Sequence, residues 1–227
     1  FNIIMGMTGI GKTWFGINFA KMLLEANENV KVMHIETELE KNVFIHRLIK
    51  VFTDYDKKDV IGKNLSDVIE HISTGRYIVK KVSTFTKQLI EHLVSKHNPD
   101  IIIIDQLNHY TDDMRKSIFT ATDRWRQLAD FGHYLLRYSL STGKTFIGLM
   151  QTNRGGGDVA DLSAIAESFN ITWHARLILQ ISDDEDGNFI YVAKCSEAVS
   201  KRRIFRFRFD NRMRVRFFRI GGEDEDE

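Results

Sequence analysis

Residues Gly6-Met7-Thr8-Gly9-Ile10-Gly11-Lys12-Thr13 spell G-x-x-x-x-G-K-T, and no other stretch restricts the fold as strongly. The apolar residues 2–5 lead into it, and an amphipathic pattern from about Lys12 to Ala26 leads out, which predicts strand, loop and helix. Glycines let the backbone curl so that its N–H groups surround a phosphate, and the helix N-terminus adds positive potential. Lys12 is placed to reach the outer phosphates, and the Thr13 hydroxyl to coordinate Mg²⁺. The expected nucleotide-binding residues are Gly6, Thr8, Gly9, Ile10, Gly11, Lys12, Thr13 and the adjoining Trp14, with ATP and Mg²⁺ as cofactors.

Such a loop needs an acidic partner for the metal. Asp105 follows four isoleucines, 101–104, and open parallel sheets bind ligands at the carboxyl ends of their strands. Asp105 is therefore the candidate second metal residue beside Thr13. Strand-like runs at Val30–Ile35, Tyr77–Val82 and Thr145–Met150 alternate with helical patterns. The helical patterns lie near 40–53, Thr84–Lys96 and Met114–Ser141, with Phe15, Phe19, Met22 and Leu23 along the first helix and Val43, Leu48 and Val51 along the second. Ile118, Trp125, Leu128, Phe131 and Leu135 form a core-facing stripe on the longest. After residue 176 short strands follow one another at 177–181, 189–194, 204–209 and 215–220. The fold class predicted is α/β, a mainly parallel central sheet flanked by helices with C-terminal antiparallel strands.

Composition removes several other classes. With 43% hydrophobic and 28% charged residues, the 227-residue chain is not chiefly disordered. Its longest apolar run is far short of a bilayer span, so no membrane partner is expected, and its lone cysteine is compatible with the reducing cytoplasm expected as its location. A single cysteine, Cys195, cannot form an internal disulfide. The eight histidines show no paired ligand spacing, which leaves nucleotide-bound Mg²⁺ as the one metal expected. The net charge of +1 hides an asymmetry: residues 223–227 are all acidic, whereas 201–219 hold nine basic residues and one acid. That contrast points to a polyanion or an acidic partner.

A nucleotide hydrolase must also orient the attacking water. Glu36, Glu38 and Glu40 leave the second strand, and spacing alone prefers none of them. The order of motifs does more. The chain resembles the ATPase domain of DnaB-type replicative helicases, RecA-like ring motors, over most of its length. The carriers are Gly6–Thr13, then Glu36-Thr37-Glu38-Leu39 nine residues before Arg47, Asp105-Gln106-Leu107-Asn108, and Gln151-Thr152-Asn153-Arg154. The resemblance implies a RecA-like P-loop NTPase domain over 1–220, with 221–227 an acidic, disordered tail. It also implies Glu38 as catalytic base, Gln151 as sensor of the terminal phosphate, and loops that grip single-stranded DNA. Arg115, Lys116, Arg154, Gly155, Gly156 and Gly157 are the candidate DNA-binding residues.

One motif departs from the family. Its Lys-x-Arg-x-Gly reads Lys194-Cys195-Ser196-Glu197-Ala198 here, which keeps the lysine and loses the arginine. Lys194, with Arg202 or Arg203 substituting for that arginine, is expected to act on ATP bound by the adjacent subunit. Phe205, Phe207 and Phe209 alternate with Arg206 and Arg208, and Met213, Val215 and Phe217 with Arg212, Arg214 and Arg216. That pattern predicts a β-hairpin with one apolar and one cationic face, the latter guarding a sheet edge or meeting DNA or a neighbouring subunit. The function expected is an ATP-dependent replicative helicase motor that translocates on single-stranded DNA and unwinds the fork. It would work as a homo-oligomer, a hexameric ring, with a primase, polymerase or loader as partner, and as part of a longer protein. The alternatives are a RecA- or KaiC-like ATPase for strand exchange or signalling, and a nucleotide-dependent assembly module without hydrolysis.

Overall fold

The alternation of apolar runs and amphipathic segments builds one sheet with helices on both faces. The computed structural model describes residues 1–53, 75–112, 121–152, 169–197 and 204–218. The order is β1 (Asn2–Gly6), α1 (Lys12–Ala26), β2 (Val32–Glu36), α2 (Lys41–Phe52), β3 (Tyr77–Lys81), α3 (Lys87–His97) and β4 (Ile101–Asp105). A 3₁₀ turn at Leu107–His109 precedes α4 (Ala121–Thr142), β5 (Thr145–Gln151) and α5 (Phe169–His174). The chain closes with β6 (Leu177–Asp184), β7 (Gly187–Cys195), β8 (Ile204–Phe209) and β9 (Val215–Phe218). Among the described residues no helix is long and apolar enough to cross a membrane.

The sheet runs β3-β2-β4-β5-β1-β6-β7-β8-β9. Strands β1 to β6 pair in parallel, and β7, β8 and β9 are added antiparallel to β6. The predicted α/β fold class is met. Central strands such as β4, Ile-Ile-Ile-Ile-Asp, read as unbroken apolar runs because helices cover both faces. On one face Phe85, Tyr110, Phe131 and Leu135 pack beneath α3 and α4, with the Tyr110 and Phe131 rings stacked 3.9 Å apart. On the other, Phe15, Ile17, Phe44, Leu48 and Phe207 pack around α1 and α2. Helix α3 shows how its limits are set: the Thr86 hydroxyl accepts from Leu89 N, and Asn98 ends the helix at φ 46°.

Two helix faces differ from the sequence reading. In α1 the buried residues include Phe15, Ile17, Ala20 and Leu24, while Met22 is 47% exposed. The helix is turned because Gly16 lets it press on β5: a Cβ there would lie 2.8 Å from Leu149 Cδ1. In α2 the buried set is Phe44, Leu48, Ile49 and Val51, and Val43 is exposed. On the long helix Leu128, Phe131 and Leu135 are buried as expected. Ile118, and the stretch 54–73 read as a turn and a short helix, lie outside the described residues, as does the side chain of Trp125.

The C-terminal hairpin forms, but its two faces are not cleanly divided. Phe207 is fully buried and Phe209 packs beside it, whereas Phe205 and Phe217 are 45% and 51% exposed. Arg206 is buried on the supposedly cationic face. β7 lies alongside and pairs Phe189 with Arg206, so the guanidinium sits 5.2 Å over that ring and forms two parallel bonds with Asp184. Arg214 donates to Val51 O and Thr53 O, closing the end of α2. The hairpin is therefore a structural wall of the α1 side. Phe207→Ala is expected to lower stability by about 3–5 kcal/mol; urea unfolding measures it, and a loss below about 1 kcal/mol would show that the hairpin packs only loosely.

Candidate active site

The N-terminus of α1 is built to receive an anion. Gly11 precedes the helix at φ 97°, no side chain caps it, and no acidic residue lies in its first turn. The positive end of the peptide dipoles is therefore left for a ligand. Gly9 also adopts a positive φ, 85°, so both turns of the loop need glycine. Lys12, 7% exposed, donates from Nζ to Gly6 O at 2.9 Å and Met7 O at 2.8 Å. Burial lowers its pKa, and the charges of Asp105 and Glu38 oppose that shift.

Opposite the loop, the carboxyl ends of β2 and β4 bring acids together. Glu36 and Asp105 are register partners, each 1% exposed. Glu36 Oε1 accepts from Glu38 N and Leu39 N, both at 2.7 Å, which turns the chain sharply out of β2. Burial first, and then the Asp105 charge, raise the Glu36 pKa to about 7. Burial raises Asp105 to about 6, with a hydrogen bond from Thr13 acting the other way.

A single threonine fastens the two strand ends. Thr37 Oγ1 donates to Asp105 O at 2.9 Å and accepts from Gln106 N at 2.8 Å. His109 Nδ1 lies 2.8 Å from the same hydroxyl. Gln106 Nε2 donates to Glu38 Oε2 at 2.9 Å and holds that carboxylate over the pocket.

One pocket gathers Thr8, Gly9, Gly11, Lys12, Thr13, Trp14, Glu38, Asp105 and Gln151 with Leu39, Arg47 and Gln106. The residues fit a nucleotide with its metal: the uncapped helix end suits the phosphates, and Asp105 Oδ2 is a buried acceptor without a hydrogen-bond partner, beside Thr13.

A family model described as "Type III restriction enzyme, res subunit" matches residues 1–140. The chain belongs to that family. It is a helicase-type ATPase domain, and the matched span contains the P-loop, Glu38 and Asp105. No curated protein matches. Among solved structures, the chain resembles one described as an ATPase domain, with TM-score 0.71, 19% identity, and coverage of 90% of this chain and 80% of that one. It also resembles a DnaB-like replicative helicase described with its interactions with primase, with TM-score 0.73 and 20% identity; the match covers 93% of this chain and 55% of that one. These likenesses carry the fold, and the resemblance to DnaB-type ATPase domains is met at that level.

Of the residues expected from sequence, the pocket brings together Thr8, Gly9, Gly11, Lys12, Thr13, Trp14, Glu38, Asp105 and Gln151. Gly6 and Ile10 lie under the loop rather than in the pocket wall: a Cβ on Gly6 would meet Ile181 O at 2.7 Å and Ile10 Cγ2 at 3.0 Å. Lys194 is not in the pocket; its Nζ donates to Thr172 O and Trp173 O, both at 2.9 Å, and holds the end of α5. Arg115, Lys116, Arg154, Gly155, Gly156, Gly157, Arg202 and Arg203 lie outside the described residues, as does the tail 221–227. Sequence reasoning missed Arg47 as a pocket residue; its guanidinium lies 4.9 Å from the Trp14 ring centroid. The signal was an arginine breaking into the Phe44–Leu48–Val51 stripe of α2. Burial lowers its pKa, against the opposing pull of Asp105, Glu36 and Glu38.

Raised carboxyl pKa values have a consequence for folding. The folded state keeps protons on Glu36 and Asp105 at pH values where the unfolded chain has lost them. Stability is therefore expected to fall as pH rises from about 4.5 to about 7, where Glu36 itself ionises in the fold, and to level off above. Glu36→Gln should flatten that slope. Urea unfolding at pH 5, 6, 7 and 8 tests it, and equal slopes for the two proteins would refute the assignment.

Proposed function

We propose that this domain is an ATP-driven motor that moves along single-stranded DNA and separates duplex at a replication fork. The observation that supports it is the convergence of Lys12, Thr13, Glu38, Asp105 and Gln151 on one pocket at the carboxyl edge of the sheet. In this reading Lys12 and the α1 N-terminus hold the phosphates, and Thr13 and Asp105 hold Mg²⁺, which offsets charge on the phosphates when bound. Glu38, steadied by Gln106, takes a proton from the attacking water, and Gln151 contacts the terminal phosphate. Gln151 ends β5 three residues before Arg154 in the sequence, so in this reading a shift at the phosphate is relayed along the chain toward the candidate DNA-binding residues Arg154, Gly155, Gly156 and Gly157.

The DnaB-like relative is described with primase, and the reading extends to a ring of subunits, a hexamer, with primase, polymerase or loader partners. Lys194 and Arg202 or Arg203 would then reach ATP held by the neighbouring subunit.

ATP turnover with and without single-stranded DNA tests the proposal. Turnover should rise with DNA, and a forked duplex should be unwound. Lys12→Ala and Glu38→Gln should each lower turnover by about 10²-fold or more. Lys194→Ala, and Arg202→Ala or Arg203→Ala, should lower turnover without weakening nucleotide binding. ATP binding with no turnover under any condition would overturn the motor reading, and strand pairing without unwinding would favour a recombinase.

A further inference from the structure

Below the nucleotide pocket, on the α1 side of the sheet, three side chains from two strands face one another. His34 and Glu36 are alternate residues of β2, so both point to the same face, and Asp105 is the register partner of Glu36 on β4. Their ligand atoms all lie within 4.8 Å of one another, the only such group of three His, Cys, Asp or Glu among the described residues. Each is at most 1% exposed. Each also has a buried polar atom with no hydrogen-bond partner: His34 Nε2, Glu36 Oε2 and Asp105 Oδ2. Buried polar atoms are ordinarily satisfied, so three orphans in one cluster need an explanation.

We propose that His34, Glu36 and Asp105 form a binding site for a divalent transition-metal ion, distinct from the Mg²⁺ of the nucleotide. The donor set decides the class. One imidazole with two carboxylates suits Mn²⁺, Co²⁺ or Zn²⁺, whereas Mg²⁺ prefers an all-oxygen shell and retains water. The surroundings are those of a ligand site. His34 Nδ1 lies 2.8 Å from Tyr77 Oη and Phe44 meets the ring edge-on, so the imidazole is oriented from outside the cluster. Burial pushes its pKa down to about 3, keeping it neutral, as a ligand must be. Glu36 Oε1 is fixed by two backbone N–H groups, which leaves Oε2 for the ion. Among the described residues no cation hydrogen-bonds the open oxygens Glu36 Oε2 and Asp105 Oδ2, which leaves both free to take a divalent ion. Asp105 is shared, since its Oδ2 is the open acceptor for this ion and for the nucleotide's metal alike.

The test uses the protein without nucleotide, so its outcome is independent of the motor reading. Mn²⁺ is titrated in and followed by electron paramagnetic resonance. One tight ion per chain is expected, with a ¹⁴N coupling from the His34 ring. Glu36→Gln and His34→Phe should each weaken binding by about tenfold or more, and His34→Phe should abolish the coupling. No tight ion in the wild-type protein, or a bound ion without ¹⁴N coupling, would overturn the proposal whether or not the variants fold. So would folded variants that bind Mn²⁺ as tightly as wild type.

Discussion

The site depends on the parallel register of four strands. Glu36 pairs with Asp105 across β2 and β4, Asp105 with Leu149 across β4 and β5, and Gln151 with Gly6 across β5 and β1. Glu36 and Asp105 end level with Leu149, and β5 and β1 run two residues further to Gln151 and Gly6, so the strand ends form a stepped row at the carboxyl edge. A slip of one residue in β4 would swing Asp105 to the α3 and α4 side and bury it among Phe85, Tyr110 and Phe131. Isoleucines 101–104 would pack alike on either face, so what opposes that slip is the cost of burying the Asp105 carboxyl among apolar side chains. The chemistry at the edge is thus tied to the register through Asp105 itself.

What the sequence revealed follows from how local each signal was. The P-loop was legible because its strand, turn and helix are contiguous and its glycines have no substitute at positive φ. Asp105 was legible because a strand buried on both faces ends on it. Glu38 was one of three glutamates until the order of motifs singled it out, and in the fold it lines the pocket while Glu36 sits below. The His34–Glu36–Asp105 cluster was invisible, because β2 and β4 are far apart in the chain and their residues meet across a register that no spacing records. Helix faces were misread where a contact from a distant segment decided the rotation, as Leu149 does against Gly16. The uniform cationic face of the hairpin failed for the same reason, since Asp184 on β6 and Phe189 on β7 claim Arg206.

Charge around the pocket is arranged in opposition. Lys12 and Arg47 stand with the α1 N-terminus, while Glu36, Glu38 and Asp105 stand at the ends of β2 and β4. Desolvation is the leading influence on Lys12, Arg47, Glu36 and Asp105 alike, lowering the bases and raising the acids. All four shifts disfavour charge, so the protein holds ionisable groups where a polar or ionic ligand stabilises their charged forms. Such burial is unfavourable to folding taken alone, and it is the pattern expected where ligand binding, rather than stability, selects the residues.

The C-terminal hairpin ties this machinery to a distant part of the chain. Phe209 lies so close to Gly11 that a Cβ there would meet the ring at 2.9 Å. Asn18 of α1 donates to Met213 O at 2.9 Å and accepts from Val215 N at 3.0 Å, and Arg214 reaches the last carbonyls of α2. The phosphate-binding helix is therefore held both by the central strands and by the β8–β9 end of the same sheet. Packed interfaces of this kind move as units rather than deforming smoothly. A nucleotide that displaces α1 must carry the hairpin with it or break bonds at Asn18.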